Sequence, residues 1–314
     1  MAQFIIKRLI QSVVVIFIVS VFTFLLTYLM PGDPVYAMLG GDITREQYDI
    51  AYKEMGLDKP MYVRYVDWCG NILEGDFGNS YKYRMPVKDL IKERLPITIY
   101  FGILSIIIST AVGILLGILS ATKRGKSLDT GITILANLGA VMPLFWLAVL
   151  GMSLFAMKLK WLPSYGFTFP TADFVTSIKQ TILPLFALSV GAIAGTTRQM
   201  RSSMLEVIRQ DYIRTARAKG VKESRVISGH ALKNALIPVV TLTGMSFRNV
   251  VSGSTSVEII FSIAGMGQLL VTSVLSKDVA TTQACILIVA VVVSIANLIV
   301  DISYGYIDPR IRIQ

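Results

Sequence analysis

The chain has 314 residues, of which 54% are apolar and only 16% charged, with a net charge of +10. A globular chain usually carries about 25% charged residues, so the composition argues against two ordinary soluble domains. The basic residues lie between apolar blocks, where Lys and Arg mark the cytoplasmic face of a membrane protein, and no groove-reading motif accompanies them that would point to nucleic acid.

About 20 consecutive apolar residues cross roughly 30 Å of hydrocarbon. The first such block, residues 9–30, follows Lys7 and Arg8. It is too long for the apolar core of a signal peptide, and no small-x-small site closes it, so it reads as a retained span. Pro31-Gly32-Asp33-Pro34 then stops the helix. Residues 31–95 carry both charge signs and predict a small, partly helical lobe outside the membrane. A second span is expected over 96–121, followed by Lys123, Arg124 and Lys126, and a third over 131–157 with Pro143 inside it. The loop 158–180 carries Trp161 and Tyr165, aromatics of the interfacial type. The fourth span, 181–197, is short, and its Pro184, Gly191 and Gly195 predict a kink or a close helix contact. After the strongly basic stretch 198–233 come a fifth span over 235–255, an almost uncharged loop over 256–282, and a sixth span over 283–304.

The short loops set the orientation. With both termini in the cytoplasm, that side receives Lys7, Arg8, Lys123, Arg124, Lys126, the 198–233 stretch, Arg310 and Arg312. The other side receives Lys158, Lys160, Lys179, Lys277 and the long lobe, which crosses regardless of its charge. The expected fold class is therefore all-α: a polytopic membrane protein of about six transmembrane helices. Its expected parts are a cytoplasmic N-terminus with the first span (1–30), an extracytoplasmic lobe (31–95), and a transmembrane core (96–314) carrying a cytoplasmic loop over 198–235.

That loop is too long for a turn and too patterned for a linker. Good helix formers run from Asp211 to Lys219, and Gly220 stands where a helix C′ glycine would. A second helical run is predicted over 222–236, ending at Pro238. Two short amphipathic helices joined at a glycine make a knob. Read from the residues alone, it is either a solvated basic loop that satisfies topology or a rigid lever for another protein.

The stretch Thr215-Ala216-Arg217-Ala218-Lys219-Gly220-Val221, with His230-Ala231-Leu232-Lys233-Asn234-Ala235-Leu236-Ile237-Pro238 after it, resembles the coupling loop of binding-protein-dependent ABC importer permeases. The general pattern has Glu-Ala-Ala before the glycine and Leu-Pro after it. Arg214-Thr215-Ala216 and Leu232-Lys233 stand there in this chain, as is typical of the dipeptide, oligopeptide and nickel branch. The segments 31–34, 56–60, 75–80, 94–98 and 308–310 resemble the same branch, and together suggest the first of its two permease subunits.

The resemblance implies a type I importer fold in a bacterial cytoplasmic membrane, importing di- or oligopeptides, with nickel or a metal chelate as the alternative cargo. It implies a second homologous permease, two cytoplasmic ATPases that bind ATP and Mg, and an extracytoplasmic substrate-binding protein. This chain would hold no cofactor and do no chemistry itself. Arg214, Thr215, Ala216, Arg217, Ala218, Lys219, Gly220 and Val221 would dock into an ATPase groove. Gly220 would allow the sharp turn, Arg214, Arg217 and Lys219 would meet acidic or polar groups, and Ala216 and Ala218 would pack closely.

Other signals carry less. Gly125-Lys126-Ser127 echoes a phosphate-binding loop, but Ser120 stands where its first glycine belongs and a span precedes it. His230 is the only histidine and builds no dyad or metal site alone. Cys69 and Cys285 lie in unlike surroundings, and thirteen scattered methionines read as apolar filler. An ion-gradient transporter would place carboxylates within spans, and Asp301 is the one candidate. Arg248, beside Ser246 and Asn249 near the middle of the fifth span, is costly at that depth. It either makes a structural pair or, with its neighbours, lines the pathway and meets a substrate carboxylate.

Overall fold

The computed structural model describes residues 2–30 and 32–307; the side chains of residues 2, 4, 37, 245–253 and 303–307 lie outside the described residues. Hydrocarbon offers no water to backbone amides, so a spanning chain must satisfy them within helices or a closed barrel. This chain takes the helical solution. In order it forms α1 (Ala2–Tyr28), α2 (Pro34–Leu39), α3 (Arg45–Glu54), α4 (Met61–Leu73), α5 (Val87–Thr122), α6 (Ser127–Val141), α7 (Leu144–Gly151, continued by a π-helical segment Met152–Lys158) and α8 (Phe174–Val207). Then follow α9 (Asp211–Ala218), α10 (Glu223–Arg225), a π-helical turn Val226–Ala231, α11 (Leu232–Ile260), α12 (Met266–Leu275) and α13 (Val279–Ile307).

Among the described residues, five helical stretches are long and apolar enough to cross a membrane: Ile5–Tyr28, Val87–Thr122, Phe174–Val207, Glu223–Gly244 and Val279–Ile302. The pair α6 and α7 makes a sixth if its two arms count as one span. The third span expected over 131–157 is bent by 104° between those arms. Met142 and Pro143 are both extended there, and Pro143 caps α7 rather than sitting within a helix. The fourth span is not short, because α8 runs for 34 residues. Its polar first turns and its charged last turns read as loop in the sequence, yet they continue the helix. Pro238 does not end the second helical run either, and lies inside α11. A proline removes one backbone donor, and a helix in lipid tolerates that where neighbours or local adjustment satisfy the freed carbonyl.

The chain divides into two compact units: Met1–Thr98 with Ala264–Leu298, and Ile99–Ile263 with Ile299–Gln314. In the first unit the lobe is helical, as its composition suggests. Asp33 caps α2 through the Val35 amide, with Pro34 at the first helical position, and Thr44 and Gln47 close a reciprocal capping box on α3. Tyr48 donates to Asp33 at 2.6 Å, joining α3 to the cap of α2. Phe24 of α1 stacks edge-on with Tyr65 of α4 at 5.4 Å, and Ser20 bonds the Tyr65 hydroxyl at 2.8 Å.

Val87, Leu90 and Ile91 of α5 pack on Met266 and Leu269 of α12 and on Ala284 and Cys285 of α13. The buried Asp278 caps α13 through Thr281 and accepts the Ser80 hydroxyl at 2.5 Å and the Lys82 amide at 3.3 Å. Gln283 donates to Thr27 at 2.7 Å, a buried bond between α13 and α1.

In the second unit α5 and α8 meet at a Gly113-xxx-Gly117 pair. A Cβ at Gly113 would lie 2.5 Å from that of Thr196, and one at Gly117 would lie 2.5 Å from that of Met200. Apolar side chains gain little by leaving lipid, so small residues that admit backbone contact carry helix association. Gly139 of α6 approaches Val190 of α8 in the same way. Gly117→Ala is expected to destabilise the chain by about 1–3 kcal/mol through overpacking. Thermal unfolding of the purified protein measures this, and an unchanged midpoint would show that α5 and α8 have room to separate.

Candidate functional site: the basic two-helix module

The module begins where α8 ends. A short turn at Ile208–Gln210 leads into α9, whose apolar positions 213 and 216 fall on one face at helical spacing. Ile213 is fully buried and Ala216 nearly so, against Met200 and Met204 of α8, Val226 and Ala231 of the π-helical turn, and Ala121 at the end of α5. The other face is solvated. Asp211, Arg214, Thr215, Arg217 and Ala218 are exposed, as is Lys219 beyond the helix.

Gly220 ends α9. Its φ is +76°, its amide donates to the Arg217 carbonyl at 2.9 Å, and the Val221 amide donates to the Ala216 carbonyl at 3.3 Å. This is the paired closure of a left-handed helix terminus, which glycine adopts without strain. A Cβ at Gly220 would meet nothing within 4 Å, so backbone conformation alone, and not space, selects glycine.

Across that turn Arg217 grips Glu223 with two bonds, Nε at 3.0 Å and a terminal nitrogen at 2.7 Å. The carboxylate raises the guanidinium pKa further. Arg214 makes a long contact to Asp211 at 3.5 Å, Thr215 donates to the Asp211 carbonyl, and Asn234 of α11 donates to the Tyr212 hydroxyl at 2.7 Å. His230 is exposed on the π-helical turn.

Of the residues singled out in the sequence, Arg214 through Val221 therefore form one contiguous element. Ala216 turns inward, Val221 packs at the edge of the core, and Ala218 faces out. The side chains of Ser246, Arg248 and Asn249 lie outside the described residues.

Sequence reasoning missed the anchors Met200, Met204, Ile213 and Val226, whose signal was the spacing of apolar residues through a charged stretch. It also missed the cluster beside them. Arg201 of α8 holds Asp129 of α6 at 2.8 and 2.9 Å, while Ser120 and the Gly125 amide complete the carboxylate shell at 2.5 and 3.0 Å. Asp129 is buried and fully hydrogen-bonded, the condition under which a buried charge persists. No motif links residues so far apart in sequence.

The fold is that of a multi-pass helical membrane permease, with a preformed basic module held on the end of a spanning helix. Residues 113–313 match the family described as "binding-protein-dependent transport system inner membrane component", and residues 1–102 match the N-terminal model of the same kind. The chain belongs to that family, and it is an ABC importer permease subunit. It is 41% identical over 313 residues to a putative peptide transport system permease protein of Brucella abortus (strain 2308), covering 99% of both chains. It is 38% identical over 315 residues to an oligopeptide transport system permease protein of Bacillus subtilis (strain 168), covering 99% of this chain and all of that one. In fold it is similar to a chain of the MetNI methionine ABC transporter in an inward-facing conformation, with a TM-score of 0.58, 17% identity, and coverage of 70% of this chain and 96% of that one.

Ile213→Ala should loosen the module by about 2–4 kcal/mol, the usual range for a large-to-small change in a buried site. Hydrogen exchange of the amides over 211–218 reads this directly. Protection equal to the parent protein would mean that α9 is held by its charges and not by its apolar face.

Proposed function

We propose that the chain forms half of the membrane pathway of an importer for di- or oligopeptides and that the basic module receives the stroke of cytoplasmic ATPases. The observation that carries the lever role is the burial of Ile213 and Ala216 against Met200 and Met204. A push on α9 is thereby a push on α8, a continuous helix of 34 residues and about 50 Å. The Gly220 turn and the Arg217–Glu223 pair hold the module in shape before any partner arrives. The outward Arg214, Lys219, Lys222 and Arg225 offer cations to acidic or polar groups on that partner.

In this reading a second, homologous permease completes the pathway, and a substrate-binding protein delivers cargo to the lobe side. Both termini and the module face the cytoplasm, consistent with the distribution of Lys and Arg in the short loops. ATP and Mg belong to the ATPases, and this chain performs no chemistry. The names of the relatives from Brucella and Bacillus support peptides as cargo over nickel.

Two substitutions at one position test the lever. Valine, β-branched, strains badly at positive φ, whereas asparagine is among the residues that enter this region most readily. Gly220→Val is expected to abolish peptide uptake by the reconstituted importer while the chain still reaches the membrane. Gly220→Asn should retain most of it. Equal uptake by both variants and the parent would refute a mechanical role for the turn. ATP hydrolysis that fails to rise on adding peptide with the binding protein would refute the importer reading itself.

A further inference from the structure

The turn of α8 that carries the basic module also carries a second attachment. Met200 and Met204 hold α9. Between them in sequence, Arg201 holds Asp129 in the first turn of α6, through Nε at 2.8 Å and a terminal nitrogen at 2.9 Å. The lever mechanism uses the first attachment only.

Helices α6 and α8 run antiparallel. Asp129 meets Arg201, and ten residues further along α6 Gly139 meets Val190, whose Cγ1 would lie 2.9 Å from a Cβ at 139. About 15 Å of α6 is therefore laid against α8. Beyond the bend at Met142 and Pro143, Gly151 at the end of α7 lies beside Leu183 of the same helix. Leu183, Val190, Ala194 and Arg201 follow one another at steps of seven, four and seven, so they share one face of α8.

At Gly139, Val190 and Ala194 this seam is small and apolar. Among the described residues, the Arg201–Asp129 pair is the one polar link between the two helices. Apolar contact inside lipid fixes position weakly, because an apolar side chain gains little by leaving lipid for protein. Packed helices can slide past one another by a whole turn. The ion pair does not permit that. Asp129 is buried, and Ser120 of α5 and the Gly125 amide hold its carboxylate from the α5 side. Moving Arg201 by one turn, about 5.4 Å, would strand the charge. The pair therefore selects one register from those the seam admits.

We propose that Arg201 and Asp129 are positioning residues for the coupling stroke: they lock α6 in register with α8, so that a push received at Met200 and Met204 also moves the bent α6–α7 span. The proposal rests on the reading of α9 as the receiver of the stroke, and it adds the route by which the stroke leaves α8. Without the lock α8 slides past α6, and the ATPases turn over with little transport.

The test uses the whole importer with its binding protein and peptide, in proteoliposomes for uptake and in nanodiscs for distances. Asp129→Asn combined with Arg201→Met leaves no buried charge, and the new amide oxygen still accepts from Ser120 or the Gly125 amide. The thermal midpoint of this double variant should stay near that of the parent, while peptide taken up per ATP hydrolysed falls at least tenfold. Arg201→Lys keeps one ionic bond and should recover most of that ratio. Spin labels at residues 130 and 198, both exposed positions, read the register itself. In the parent their separation should be the same without nucleotide and in the vanadate-trapped complex. In the double variant it should shift by about 5 Å between the two states. The proposal is overturned by a double variant with the parent's ratio, by a ratio that falls only together with the thermal midpoint, or by a parent separation that changes with nucleotide. ATP hydrolysis by the parent that ignores peptide would overturn the importer reading instead, and the two separations would still decide whether α6 and α8 are locked.

Discussion

In lipid a polar group that finds no partner inside the protein finds none at all, and the rest of this structure follows from that constraint. It makes every span a helix. Two buried carboxylates at the ends of spans are enclosed by partners as well. Asp129 is surrounded by Arg201, Ser120 and the Gly125 amide, and Asp278 by Ser80, Thr281 and the Lys82 amide. Both carboxylates join segments distant in sequence. Removing one partner of such a set leaves an uncompensated buried charge, far costlier than losing a surface contact. These sets therefore hold their elements in one arrangement more firmly than apolar contact in lipid does.

The basic module obeys a different balance, because it lies outside the apolar blocks. Its one bidentate ion pair, Arg217 with Glu223, is partly exposed, and such pairs contribute roughly 0–1 kcal/mol. Full burial of a side chain the size of Ile213 contributes about 1.5–3 kcal/mol. The apolar face therefore decides where α9 sits, and the charges decide what it shows to solvent. That division suits the proposed coupling role, since the module stays attached to α8 while its cationic face remains open to solvent.

Much of the fold was legible because spans are a matter of length and apolarity, and the blocks near residues 9–30, 96–121 and 283–304 overlap α1, α5 and α13. The misses share one cause. Polar residues suggest loop, so the apolar pattern ends at Thr181 and Thr197 although α8 runs from Phe174 to Val207. Proline suggests a stop at Pro238, where the helix continues, and an interior position at Pro143, where the helix breaks. The local chemistry of proline is the same in both places; the packing around it differs, and packing is not local in sequence. The helix Asp211–Ala218 and its ending at Gly220 were legible from the helix formers and the terminal glycine. Ile213 and Met200 were not, since an apolar residue inside a charged stretch shows its role only once the helix that covers it is in place.

Residues 277 and 278 show how far local reasoning reaches. Asp278 caps α13 and is fully enclosed, so the chain must pass from the end of α12 to that cap within a single tight turn. The turn forces residue 277 to positive φ whatever its side chain. Glycine meets that demand without strain and does so at Gly56, Gly75 and Gly220. Ser262 meets it at the end of α11 with the same pair of closing bonds, so the turn accounts for the conformation at 277 and tolerates a side chain there.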